Sequence, residues 1–408
     1  MKSTRTLRTR TPRGAPRARI VAATLACAAL LGLPAAADAK GKGGWIVKGA
    51  GYGHGIGMSQ YGAYGSAKAG KNHQQILGQY YTGTTLGTSA SQTIRVLLLP
   101  YQSTVRFGGA SAACGQALNV GKEYVAVRSG NDVALRGTGG NGVANCGAVL
   151  SATGPGTVNL AGKGVYRGAL EVRASSNPGT LNAINAVDIE SYLRGVVAEE
   201  SPRSWPLEAL KAQAIAARSY ALTTGVSGNG FDAYDDTRSQ VYGGVAGETA
   251  RTDQAVAATA NRVVLYQGRV AETFFFSTSG GHTENNENSF LGGTPLPYLR
   301  GVPDPNEANA GSSYHRWVRK FSQRSIQAEL GSLVKGRLRG VQIVKRGVSP
   351  RIVSARVVGS GGTTTTTGPE LRSRLGLPDT WATFKSPKQM KRKKARRARQ
   401  FAEHLRGW

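Results

Sequence analysis

The 408-residue chain is 40% hydrophobic, enough to bury one large core or two moderate ones, which excludes a disordered polymer. Its formal charge is +29, and it is concentrated at the ends. Residues 1–19 hold seven Lys/Arg and no acid, and residues 385–408 hold ten Lys/Arg and one Glu. The rest still carries +13, so an anionic partner is expected.

In chain order, the basic N-terminus is followed by the apolar run 20–33, then Pro34 and small residues. This reads as a signal peptide over 1–39, cleaved after Ala37 or Ala39 and too short for a comfortable membrane span. No second long apolar run follows, so an exported protein without a transmembrane helix, soluble or wall-associated, is expected. Export leaves Cys114 and Cys146 as an even pair, for which a disulfide is the default. The segment 45–85 begins with alternating glycines around His54, which suits a turn whose bare face something approaches closely. Helical patterns follow over 59–71 and at HQQILGQYY. On its own, His54 reads first as a turn histidine packed by glycines.

Residues 86–187 alternate as strands (IRVLLLP, YVAVRSG, DVALRGT, GVYRGALEVRA, TLNAINAV) broken by Gly, Asn and Pro. Two helices then meet at a Pro-containing corner. In the first, Ile189, Tyr192, Leu193, Val196 and Val197 recur at the α period, Asp188 is placed to cap, and Ser201-Pro202 ends the helix. The second begins at Pro206 and is so rich in alanine that it can lie against neighbouring backbone in the domain centre. Burying Gln213 and Arg218 there calls for hydrogen-bonded or charged partners, with Asp188 or Glu199 as candidates for the arginine, or an acidic or acetamido group of a ligand.

Beyond this pair come GFDAYDDTRSQVYGG, a helix and hairpin with its turn at 266–268, a strand at ETFFFSTS and the polar loop Ser279-Gly-Gly-His282. Further strands are expected at RLRGVQIVKRG and RIVSARVVGS, with helices around 325–333 and at PELRSRLGL. The run GGTTTTTG at 361–368 reads as a flexible turn. The fold class is α+β: a central helical pair on mixed or antiparallel sheets, a β-rich subdomain (86–187), a core (188–384) and a flexible basic tail (385–408).

GVVAEESPRSWPLEALKAQAIAARSYAL closely resembles the signature of the stage II sporulation protein D/amidase-enhancer (SpoIID/LytB) family of bacterial cell-wall proteins. That family contains lytic transglycosylases whose catalytic glutamate precedes the proline corner by two residues, a position held here by Glu200; Glu199 falls at a variable position. The resemblance extends to GYGHGIGMSQYGA around His54, to Gln240 and Tyr242 in QVYxG, and to Ser279 and His282 in SGGxT. It implies that these residues contact a glycan, with Trp205 and the alanine helix as apolar walls. The glycine-histidine motif ordinarily lies near the C-terminus in the family but here precedes the helices, as in a circular permutation, so residues 49–84 should dock beside the end of the chain. Some members carry a zinc-site pattern where this chain has Tyr234, Arg238 and Ser239, so no metal or cofactor is expected.

The resemblance implies cleavage of peptidoglycan glycan strands by one carboxyl, with the sugar's own C6 hydroxyl in place of water and 1,6-anhydro ends as product. That chemistry needs a glutamic acid with a raised pKa, supplied by an apolar pocket. The alternative from a different class is a non-catalytic wall-binding enhancer of an N-acetylmuramoyl-L-alanine amidase. In either case the basic tail suits anionic wall polymers or a wall amidase, and export makes nucleic acid a minor candidate.

Overall fold

The computed structural model describes residues 44–226 and 230–390. The signal-peptide reading and all but the first six residues of the basic tail lie outside the described residues. The chain is α+β, built on one large, mostly antiparallel sheet. In spatial order its main strands are Gly142–Asn145, Asp132–Gly137, Glu123–Ser129, Thr104–Gly108, Val149–Leu160, Gly164–Ala174, Leu181–Asp188 and Thr93–Gln102. The short strand Ala233–Tyr234 closes this edge in parallel with Thr93–Gln102.

The strand Val149–Leu160 goes unmarked in the sequence because Gly154-Pro155-Gly156 reads as a break. The structure absorbs those residues as an irregularity between Thr153 and Thr157. Gly154 is required there, since a Cβ would stand 2.2 Å from the Gly109 carbonyl oxygen. Cys114 and Cys146 are joined in a disulfide at the far end of this sheet. Breaking it with a Cys114→Ser/Cys146→Ser double variant should cost about 3–4 kcal/mol in the loop-entropy picture. A denaturant midpoint measures that cost, and neither cysteine lines the cavity described below.

The last long strand of the sheet runs straight into the corner helix, Ile189–Glu200. Asp188 caps it by accepting from the N–H groups of Glu190 and Ser191 at 3.1 Å. Its periodic face, Ile189, Tyr192, Leu193, Val196 and Val197, is buried in the core of the large sheet. The alanine helix follows as Leu207–Thr223, and every residue from Ala209 to Ser219 except Lys211 is buried. Three apolar clusters share this one helix. Ala214 and Ala217 face the large sheet, Ala212, Ile215 and Ala216 face the N-terminal segment, and Ala209 and Leu210 face Trp205. Thin side chains let all three neighbours approach at once, which explains the composition.

The buried polar residues of that helix meet partners other than those the sequence suggests. Arg218 pairs bidentately with Glu190 at 2.8 and 2.6 Å and donates to the Arg262 carbonyl at 3.0 Å. Asp188 is occupied as a cap, and Glu190 lies one turn before Arg194 on the face that meets the second helix. The Gln213 amide has no hydrogen-bond partner among the described residues.

Four smaller sheets accompany it among the described residues, and two of them gather the chain ends and the C-terminal strands. Trp45–Gly49 lies between Trp317–Phe321 and Ala382–Lys385, so the start and end of the described chain are hydrogen-bonded neighbours. Leu338–Arg346, Ile352–Gly359 and Gly362–Thr367 form the other. The threonine run is therefore a strand and not a flexible turn. Five β-branched residues favour extended backbone, and each finds a register partner on the neighbouring strand.

Candidate active site

Glu200 is the last residue of the corner helix, where Ser201 leaves helical geometry ahead of Pro202. Its carboxyl faces a cavity of about 420 Å³. One wall comes from Phe274, Phe275, Phe276 and Phe290, another from Tyr61 and Trp205, and a third from Ser239 and Val241. His54, Gln60, Tyr220 and Arg372 supply most of the remaining polar groups. The lining is mainly apolar, as a ligand site generally is.

Two donors hold the carboxyl. The Val241 N–H donates to Oε1 at 3.4 Å, and Gln60 Nε2 donates to Oε2 at 3.3 Å and to the Glu200 carbonyl at 3.0 Å. Burial nevertheless raises the pKa of Glu200 above its ordinary 4.5, and the neighbouring Glu199 adds to the rise, while the two hydrogen bonds oppose it. The negative end of the corner helix acts in the same direction as burial. The adjacent Glu199 also touches the cavity, but its carboxyl lies against the turn at Gly243 and Gly247.

The loop that brings Val241 to Glu200 is fixed by Gly195. A Cβ there would stand 2.6 Å from the Tyr242 ring, so only glycine lets the loop close on the corner helix. Gly243 N–H then donates to the Gly195 carbonyl at 3.0 Å. The loop also corrects the expected roles of Gln240 and Tyr242. Both are buried: Gln240 accepts from Tyr192 at 3.2 Å, and Tyr242 donates to Asn185 at 2.8 Å. In extended backbone alternate side chains point to opposite sides, so Ser239 and Val241 face the cavity while Gln240 and Tyr242 anchor the loop.

His54 does line the cavity with Glu200. Its Nδ1 accepts from the Ile56 N–H at 3.0 Å, which leaves Nε2 protonated to donate to the Phe275 carbonyl at 3.1 Å. Burial, assisted by the Arg372 charge, lowers its pKa from 6.5 to about 3, so the ring stays neutral. It is boxed by Phe274, Phe276 and Phe290 at centroid distances of 6.0, 5.4 and 5.3 Å. Neutral and held at both nitrogens, His54 is a wall that keeps the glycine loop in place.

Ser279 and His282 are not brought to the cavity. Ser279 is fully buried and donates to Asp304 at 2.7 Å, and His282 Nδ1 is bonded to the Thr283 carbonyl at 2.7 Å. Their carbonyl oxygens both accept from the buried Arg351, at 2.9 and 2.7 Å. The Ser279 hydroxyl and the His282 ring therefore bond to other groups and not to each other. Arg218, buried against Glu190, likewise does not line the cavity. The alanine helix contributes only Tyr220, so the apolar walls are phenylalanines and Trp205. What approaches the bare glycines is the protein itself: a Cβ at Gly55 would stand 2.5 Å from Arg351 Nε, and one at Gly53 2.8 Å from the Phe276 side chain.

Residues missed in the sequence are Gln60, Tyr61, the phenylalanine run, Phe290 and Arg372. Gln60 and Tyr61 sit inside the same glycine-histidine motif as His54, and three consecutive phenylalanines before a polar loop are themselves a signal. Phe290 lies in a segment with no such mark, and Arg372 in PELRSRLGL, which the sequence marks only as a short helix.

Residues 177–266 match the family described as stage II sporulation protein. The chain is 31% identical to stage II sporulation protein D of Bacillus subtilis over 212 residues, 48% of this chain and 60% of that protein. It is 34% identical to the amidase enhancer of the same organism over 143 residues, 35% of this chain and 19% of the enhancer. An uncharacterized protein of Brachyspira hyodysenteriae is 35% identical over 156 residues, 38% of this chain and 41% of that protein. The chain thus spans less than two thirds of each of these relatives, and no solved structure matches it. Its central segment, which carries the corner helix, Glu200 and the Val241 loop, belongs to the stage II sporulation protein D/amidase-enhancer family.

Proposed function

We propose that the protein acts on the bacterial cell wall as a secreted lytic transglycosylase, cleaving peptidoglycan glycan strands to 1,6-anhydro ends with Glu200 as the general acid and base. One observation carries this reading: the Glu200 carboxyl faces an apolar cavity large enough for sugar rings, and its surroundings favour the protonated form. Protonated Glu200 gives its proton to the glycosidic oxygen as the C1–oxygen bond breaks. The C6 hydroxyl of the same sugar then bonds to C1 and returns its proton to Glu200, so no water is consumed. An inverting or retaining hydrolase would instead use a second carboxyl across the bond. The Val241 and Gln60 donors orient the carboxyl and stabilise the anion present between the two transfers. Tyr61 and Trp205, packed edge to face with centroids 5.2 Å apart, supply an aromatic wall for a sugar.

A second reading has its support in the relative named amidase enhancer: a non-catalytic wall protein that stimulates an amidase. Mass spectrometry of purified glycan strands incubated with the mature protein separates the two. Transglycosylation yields fragments ending in anhydro sugars, one water lighter than hydrolysed ends. Intact strands, together with faster amidase turnover on adding the protein, would favour the enhancer.

A further inference from the structure

The cavity that Glu200 faces also presents a guanidinium with no ion pair of its own among the described residues. Arg372 belongs to the helix Gly368–Arg374 and lines the cavity. Its Nε donates to the Leu377 carbonyl at 3.3 Å, which fixes the plane of the guanidinium. Its two terminal nitrogens make no hydrogen bond, and it forms no ion pair, among the described residues. The nearby acids are already committed. Asp379 gives both oxygens to Arg351, at 2.9 and 2.8 Å, and Glu370 pairs with Arg374 at 3.0 Å. Burial disfavours the charged form of Arg372, and the Arg351 charge adds to this while the Asp379 carboxylate and Tyr52 oppose it, so the guanidinium stands with little water to solvate it. Arg372 also acts on His54, whereas it is not among the groups that shift Glu200. The acid and the cation therefore serve different parts of a bound molecule.

We propose that Arg372 is an oxyanion-binding subsite of this cavity, taking a carboxylate of the ligand in its guanidinium fork. The inference rests on the glycan reading for the kind of molecule but not for the chemistry, because binding can be read without turnover. In a glycan strand the carboxylate has two sources: the lactyl group of a muramic acid that carries no peptide, or a carboxylate of an attached peptide. Planar bidentate pairing is what a guanidinium does better than an ammonium, so lysine should replace it poorly.

The test uses the mature protein carrying Glu200→Gln, so that ligands stay intact, and measures affinity by calorimetry. The probes are a peptide-free strand fragment, the same fragment with its lactyl carboxylates converted to neutral methylamides, a peptide-bearing fragment, and an uncharged N-acetylglucosamine oligomer. An acidic fragment should bind roughly ten- to a hundredfold more tightly than the neutralised one, the scale of a charge-assisted hydrogen bond. Adding Arg372→Gln should abolish that difference and leave the uncharged oligomer unaffected, and Arg372→Lys should restore it only in part. Which acidic fragment gains, peptide-free or peptide-bearing, identifies the source. Equal affinity of the acidic and neutralised fragments for the parent, with the uncharged oligomer bound, would overturn the subsite while leaving the glycan reading standing. Failure to bind any of the four would overturn both.

Discussion

Replacing Glu200 by glutamine is expected to lower the rate of glycan cleavage by about 10²- to 10⁴-fold, the range over which a positioned acid acts. Glutamine keeps the shape and still accepts from the Val241 N–H, so binding of glycan should be retained. The same substitution should stabilise the fold at neutral pH. A carboxyl whose folded pKa lies above its unfolded value holds more protons folded than unfolded between the two values. Stability therefore falls as pH rises from about 4.5 through the raised folded value, and the glutamine variant lacks that loss. Parallel cleavage assays and denaturant titrations at two pH values check both statements. An unchanged cleavage rate would remove Glu200 from the chemistry.

The largest effect on stability is expected at Asp379. Its carboxylate and the Arg351 guanidinium are both buried, joined by two hydrogen bonds, and Asp379 also accepts from the Trp381 N–H at 2.8 Å. Arg351 in turn holds the carbonyls of Ser279 and His282 and packs against Gly55. Asp379→Ala leaves that guanidinium buried and unpaired, a loss of about 3–5 kcal/mol. The glycine loop should loosen with it, so glycan affinity should fall even though Asp379 does not line the cavity. The double variant Arg351→Met/Asp379→Leu, which removes both charges, should recover much of the stability but not the loop. Urea midpoints of the single and double variants measure the difference.

These two residues illustrate what could and could not be read from the sequence. Glu200 was legible because the residues that position it are local: a periodic helix, a capping Asp188, and a Ser-Pro stop. Most strands from Thr93 to Asp188 were legible for the same reason; Thr104–Gly108 and Gly142–Asn145 were not, nor was Val149–Leu160, whose central glycines imitate a turn. Asp379 and Arg351 gave no signal, because an ion pair between residues far apart in the chain has no period or motif. The expected glycan contacts Gln240, Tyr242, Ser279 and His282 fell next to the cavity and not in it. A motif locates a loop but does not say which of two alternating side chains faces inward. Arg218 had the right burial with the wrong partner, since Glu190 and Asp188 differ only by which face of the first helix turn they occupy.

Carbon NMR titration of the Glu200 carboxyl in the mature protein, assigned by comparison with Glu200→Gln, tests the central claim most directly. The account predicts a midpoint above 4.5. A midpoint at or below 4.5 in the folded protein would contradict it.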